Sequence, residues 1–224
     1  AVVLLCEDII GASGALRSEA LEDLALLWRT YGGTLDGREL RVVPEAISMQ
    51  LALIESFELE RRTRVVECPS GIDVSGVNAL SVAEFLSLEE SLLKPRWLSS
   101  EVEALKLPLN SSLQTALAAL SATGKDGQPL LRVRLTATSS GKVHGLVMRC
   151  HWAHEGQAIL DPKKLDQRLA GIIWPVDRGN YPPDLLVGDA VVVTIRYSPA
   201  RGIVVGISGQ NRQNQHIPMK RPRK

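Results

Sequence analysis

The sequence predicts a two-part fold, the closing section of an α/β sheet followed by an antiparallel β sandwich or barrel. Residues 1 to 57 run strand, acidic loop, amphipathic helix, Gly-Gly stop and strand, the order of an α/β unit. From Pro129 onward the chain turns into short alternating segments separated by Gly-, Ser- and Pro-containing turns, as all-β folds do. Its 224 residues, 45% hydrophobic and 23% charged, are enough to bury a core without disulfides or a metal.

Ala1 to Cys6 (AVVLLC) is an unbroken apolar run without an initiator Met or a charged leader. It reads as a buried strand entered midway, so the numbering is expected to start inside a larger protein. Glu7 to Gly14 forms a loop with two glycines, and Ala15 to Tyr31 shows helical spacing, with Leu21, Leu24, Trp28 and Tyr31 on one face. Gly32-Gly33 is a left-handed helix stop. Asp36-Gly37 is a turn before the strand Leu40 to Pro44, and the alternation in SMQLALIES favours a strand over a helix for Ala46 to Phe57.

The middle is less regular. Arg61 to Arg64 is a solvated charge cluster, and Val82 to Leu93 is expected to be a short helix ended by Pro95. Leu113 to Leu120 carries a Leu/Ala pattern between polar stretches. Leu131 to Thr138 alternates cleanly; Ser139 to Lys142 reads as a hairpin turn, with Val143 to Trp152 as its returning strand. Ala170 to Val176, Ala190 to Tyr197 and Gly202 to Ile207 add three strands.

Composition excludes several classes. No apolar run approaches the roughly 18–20 residues of a membrane-crossing helix, so no membrane role is expected. The cysteines, Cys6, Cys68 and Cys150, are few, odd in number and scattered. That fits a reducing, cytoplasmic setting rather than a disulfide scaffold. The net charge of +1 hides an asymmetry: without Arg212, Lys220, Arg221, Arg223 and Lys224 the chain has 21 basic residues against 25 acids, or −4. A weakly acidic body argues against nucleic acid as the main partner. The tail, broken by Pro218 and Pro222, reads as a disordered end, or as a nuclear-import or phosphate-binding patch.

Three clusters invite chemistry. Cys150-His151-Trp152-Ala153-His154 offers metal-ligand types, but on a strand His151 faces away from Cys150 and His154, and no second cluster completes a tetrahedral set. Ordinary strand residues account for it, and for the isolated His144; no metal is expected. Gly11-Ala12-Ser13-Gly14-Ala15 nearly matches the nucleophile elbow of a serine hydrolase, with Ala15 where the last glycine belongs. No Gly-x-Gly and no phosphate loop provides a nucleotide cradle. Glu7 ends the first strand, where α/β sheets present functional groups. A carboxylate there can grip a guanidinium through two oxygens. The plainer reading is that it begins a polar loop.

The order of elements resembles the latter two-thirds of a protein arginine methyltransferase. The resemblance begins at VVLLCEDIIG and runs through YGGTLDGREL-RVVP, Leu53-Ile54-Glu55 and GIDVSGVNAL. It continues through LSSEVEALKLPL, SSGKVHGLVMRC and LLVGDAVVVTIRY. It implies that residues 1–66 are the end of a Rossmann-like methyltransferase sheet, 67–209 an antiparallel β-barrel on the substrate side, and 210–224 a basic tail. It also implies that the part binding S-adenosylmethionine precedes Ala1. Active members hold the target arginine with two glutamates about nine positions apart. Glu7 matches the first; the ninth position on is Leu16, and Glu19, the second candidate, lies beyond that spacing. The family's Thr-His-Trp loop is not matched at Leu165 to Leu169, and His151-Trp152 stands on an earlier strand.

The resemblance therefore implies a degenerate module, such as the second copy of a tandem enzyme. Such a module is non-catalytic alone and binds no S-adenosylmethionine of its own. Its partners would be a protein substrate and the catalytic half of the same protein or a second subunit. The alternatives are a stand-alone β-rich interaction module, or a hydrolase using Ser13.

Overall fold

The computed structural model describes residues 1–6, 9–10, 16–63, 71, 85–124, 131–154, 157–158, 168–173, 184–198 and 202–211. Glu7, Ser13, Cys68, the segments 72–84 and 161–167, and the basic tail from 212 onward lie outside them.

The chain opens with β1 (Val2–Leu5), which lies parallel to β3 (Arg38–Val43) with Val2 opposite Leu40 and Leu5 opposite Val43. Between them runs α1 (Ser18–Tyr31), whose buried residues Leu21, Leu24 and Trp28 share one face, as the helical spacing predicts. Glu19 in its first turn and Arg29 in its last match the helix dipole. The helix stops at Gly32, at φ 60°, where the Gly32 N–H donates to Trp28 O at 2.9 Å. A side chain in that left-handed conformation would be strained, hence the glycine. β2 (Thr34–Leu35) pairs antiparallel with β3 across the Asp36-Gly37 turn. The small sheet has the order β1-β3-β2.

Ala46–Glu55 is a strand, as its alternation favours, and forms β4. Expected to close the α/β sheet, it makes its pairings in the second, antiparallel sheet instead. β10 (Gly145–His154) runs along one edge of β4, from Gly145 opposite Ile54 to Ala153 opposite Ala46. On the other edge lie β6 (Arg96–Trp97) and β7 (Val102–Pro108). β12 (Arg168–Ile173) and β5 (Phe85–Glu89) extend the sheet beyond β10, and β11 (Gln157–Ala158) pairs with the end of β10, giving seven strands. A strand flanked on both edges and both faces must be apolar nearly throughout, which AISMQLALIE is.

A second antiparallel sheet has the order β15-β14-β8, from β8 (Leu131–Thr136), β14 (Ala190–Ser198) and β15 (Gly202–Asn211). β9 (Gly141–Lys142) pairs with β13 (Asp184–Leu185). Among the described residues these sheets do not close into a barrel. The antiparallel character was expected; closure is not observed.

Two local expectations are overturned. Leu131–Thr136 and Gly145–His154 are not the two arms of a hairpin, because β8 pairs with β14 and β10 with β4. Alternation reveals that a strand has a core face but not which strand lies beside it. Two bonds set the end of β8: Ala137 N–H donates to Asp189 O at 2.8 Å, and Gly188 N–H to Ala137 O at 2.9 Å. Of the helix expected over Val82 to Leu93, the described residues form helix only at α3 (Glu90–Leu93); Phe85–Glu89 is strand, drawn into register by β12, and 82–84 lie outside the described residues. The Leu/Ala stretch forms α4 (Leu113–Ser121), burying Leu113, Leu117 and Leu120. α2 (Phe57–Thr63) follows β4 and carries Arg61 and Arg62 exposed to solvent, as expected of a charge cluster.

One hydrophobic core joins the two parts. Trp28 of α1, Met49 and Leu53 of β4, Leu117 of α4 and Val193 of β14 belong to the same buried cluster. The Trp28 indole N–H donates to the buried Leu109 O at 2.8 Å, bolting α1 to the link between β7 and α4.

Candidate functional site

Two places in this framework gather polar groups of the kind the sequence singles out. The first is the C-terminal end of β1. Cys6 N–H donates to Val43 O at 2.8 Å, so the β1–β3 ladder continues one residue past the strand. Ile9 is buried, and Arg17 N–H donates to Ile9 O at 2.8 Å. Ile10 and Leu16 form an antiparallel bridge. Glu7 and Ser13 lie outside the described residues, so the geometry fixes only their flanks. Leu16, the ninth position after Glu7, is half-buried and apolar, and Glu19 is exposed on the first turn of α1. Between β1 and α1 runs a groove of about 610 Å³, lined by Leu4, Leu5, Cys6, Ile9, Leu24 and Leu27 among others. Burial pushes the half-buried Cys6 thiol up, away from the thiolate form.

The second is a hub where β4 ends. Glu55 Oε1 accepts the Lys142 N–H at 3.0 Å, while Oε2 takes Arg96 Nε at 2.6 Å and Arg96 Nη2 beside it. Burial alone would raise the Glu55 pKa. The Lys142 N–H, the Arg96 guanidinium and His144 together outweigh that and hold it below the usual carboxylate range. Next to it, His144 is buried; its Nδ1 accepts the Ser56 N–H at 3.0 Å and its Nε2 lies 3.4 Å from Glu60 Oε2. Lys142 Nζ lies 3.5 Å from Glu60 Oε1. Ser56 Oγ donates to Leu93 O at 2.5 Å and accepts the Leu59 N–H at 3.1 Å, capping α2.

Chemically, the hub is satisfied from within. Glu55 already grips a guanidinium, that of Arg96, and so has no free pair of oxygens for a foreign one. His144, isolated in the sequence, gains its partners only because the β4–β10 register sets Gly145 opposite Ile54. The visible signal was Glu55 and His144 within separate short motifs; their meeting was not legible. The Cys150-His151-Trp152 run lies on β10, with Cys150 in the main core beside Leu146 and Met148. Burial pushes the Cys150 thiol up to about 12, so at neutral pH it is a core hydrophobe. Among the described residues no three His, Cys, Asp or Glu side chains gather closely enough to hold a metal.

A third polar contact ties α1 to β14. Tyr197 O–H donates to Glu22 Oε1 at 2.9 Å, and burial together with that carboxylate pushes the phenol up to about 12. The raised value means that the folded state holds this proton more tightly than the unfolded chain. The stability it contributes is intact below the ordinary tyrosine value of about 10 and is lost as pH rises toward 12. A spectrophotometric titration should show one of the three tyrosines ionising last. Tyr197→Phe should remove that final step; its survival in the variant would contradict the assignment.

No protein-family model matches the chain, and no curated protein matches it in sequence. Solved structures do match in fold. A chain of the Trypanosoma brucei PRMT1 enzyme-prozyme heterotetrameric complex with AdoHcy superposes at a TM-score of 0.52 and 15% identity, over 92% of this chain and 65% of that one. PRMT6 superposes at a TM-score of 0.50 and 12% identity, over 92% of this chain and 67% of that one. The chain therefore has a protein arginine methyltransferase-like fold and spans about two thirds of the length of these structures.

Proposed function

We propose that this chain is the C-terminal, non-catalytic portion of an S-adenosylmethionine-dependent protein arginine methyltransferase. Its role is to complete a pseudo-dimer and help bind the protein substrate. The observation that carries this reading is the unfinished α/β sheet. Among the described residues β1 pairs with a neighbour on one edge only, and its Val3 and Leu5 are 57% and 63% exposed. Parallel strands are normally covered on both faces and paired on both edges. Such a strand suits seating against the cofactor-binding half of a methyltransferase, in the same polypeptide or in another subunit. The T. brucei neighbour, an enzyme-prozyme complex, gives the arrangement a precedent in the fold.

The chain's own residues do not fit the cofactor. It contains no Gly-x-Gly turn to bring backbone N–H groups against a nucleoside, and the groove beside β1 is lined mainly by aliphatic side chains. No methyl-transfer step is therefore assigned to it. Incubating the isolated chain with an arginine-rich peptide and labelled S-adenosylmethionine should leave the peptide unmodified. Methylated peptide, with the label on arginine, would refute the non-catalytic reading.

A further inference from the structure

We propose that the outer face of the β15-β14-β8 sheet is a docking surface for an extended acidic segment of a partner protein. The inner face of that sheet belongs to the core, where Leu135, Val193, Ile195 and Tyr197 are buried. Strand alternation therefore turns Arg132 and Arg134 of β8 and Arg196 of β14 outward, and all three are exposed. The register sets Arg132 opposite Thr194 and Arg134 opposite Val192, so Arg196 is the diagonal neighbour of Arg132. Beside them the surface is low: Thr194 Oγ1 donates to Gly206 O at 3.2 Å, and Gly206 has no side chain. These strands hold three arginines and no acidic residue. Among the described residues neither Arg134 nor Arg196 enters an ion pair.

The occupant is argued from charge and spacing. One charged side chain is enough to keep an exposed strand soluble. Neighbouring like charges on a sheet face cost stability, and a bound anion removes that cost. Guanidinium forks take a carboxylate through two parallel hydrogen bonds, a geometry that lysine lacks. An extended peptide presents every second side chain on one side, about 6.7 Å apart. Arg134 and Arg132 have that same spacing along β8, and Arg196 continues the row about 7–8 Å across the diagonal. Single-stranded nucleic acid is held by aromatic stacking as well as by charge. Tyr197, the one aromatic residue of these strands, is buried on the other face. Acidic peptide is therefore the better match. The inference does not rest on the methyltransferase reading.

The test titrates the full chain with a short blocked peptide carrying glutamate at alternate positions, read by NMR. The Nε–H signals of Arg134 and Arg196 and the Thr194 amide should shift. The paired variant Arg134→Gln with Arg196→Gln should weaken binding about tenfold. Its urea midpoint should equal or exceed the parent's, because like charges have been removed, so lost binding is not lost folding. Arg29→Gln on α1 should leave the affinity unchanged. Silent Arg134 and Arg196 signals would overturn the proposal, including the case in which shifts are confined to the basic residues of 212–224. So would equal affinity for a peptide with as many glutamates placed at every third position. Single-stranded oligothymidylate that binds this face more tightly than the peptide would give the face to nucleic acid and also overturn it.

Discussion

Leu53→Ala is expected to destabilise the fold by about 2–5 kcal/mol, the range for a buried leucine whose cavity cannot collapse. Leu53 is fully buried in β4, opposite Leu146 of β10. Its N–H donates to Ser99 Oγ at 2.9 Å, and its O accepts the Leu98 N–H at 2.9 Å. The backbone on both sides of the missing side chain is therefore pinned, and the sheet cannot close the void. Urea unfolding should show a lower midpoint at unchanged slope. Leu186→Ala, at a site 67% exposed, should stay within about 0.5 kcal/mol. Equal effects at the two sites would mean that β4 is not the spine of the sheet.

Gly141→Val should cost about 1–3 kcal/mol, as overpacking does. A Cβ at position 141 would stand 2.9 Å from Leu98 Cδ2 and 3.1 Å from Glu55 Oε2, and would meet the Arg96 guanidinium most closely of all. The guanidinium is the group able to move, so the variant should break the Glu55–Arg96 pair. Combining it with Arg96→Ala should cost less than the two single changes summed; strict additivity would place the clash elsewhere. The pH profile offers a second reading. Because the folded-state Glu55 pKa is depressed, its stabilisation is present above the unfolded carboxylate value of about 4.3 and is lost as pH falls through the lower folded value. Gly141→Val should flatten that acid limb.

Much of the fold was legible in the sequence because local signals decide it. The spacing of Leu21, Leu24 and Trp28 and the Gly32-Gly33 stop fixed α1, and the apolar run Ala46–Glu55 fixed β4. What depends on partners was not legible. Leu131–Thr136 looks like a hairpin arm, yet β14 claims it. Phe85–Glu89 looks helical, yet lies beside β12 as strand. The site divides the same way. Glu7 could be singled out from its place after a strand, although it lies outside the described residues. The meeting of Glu55, Arg96, Lys142, His144 and Glu60 needs three strands and a helix to converge, and no spacing in the chain announces it.

The central proposal is that this chain, whose fold is protein arginine methyltransferase-like, takes up no methyl donor by itself. Isothermal titration of the isolated chain with S-adenosylhomocysteine tests it most directly. The expected result is no saturable heat. Tight uptake at one molecule per chain would contradict it.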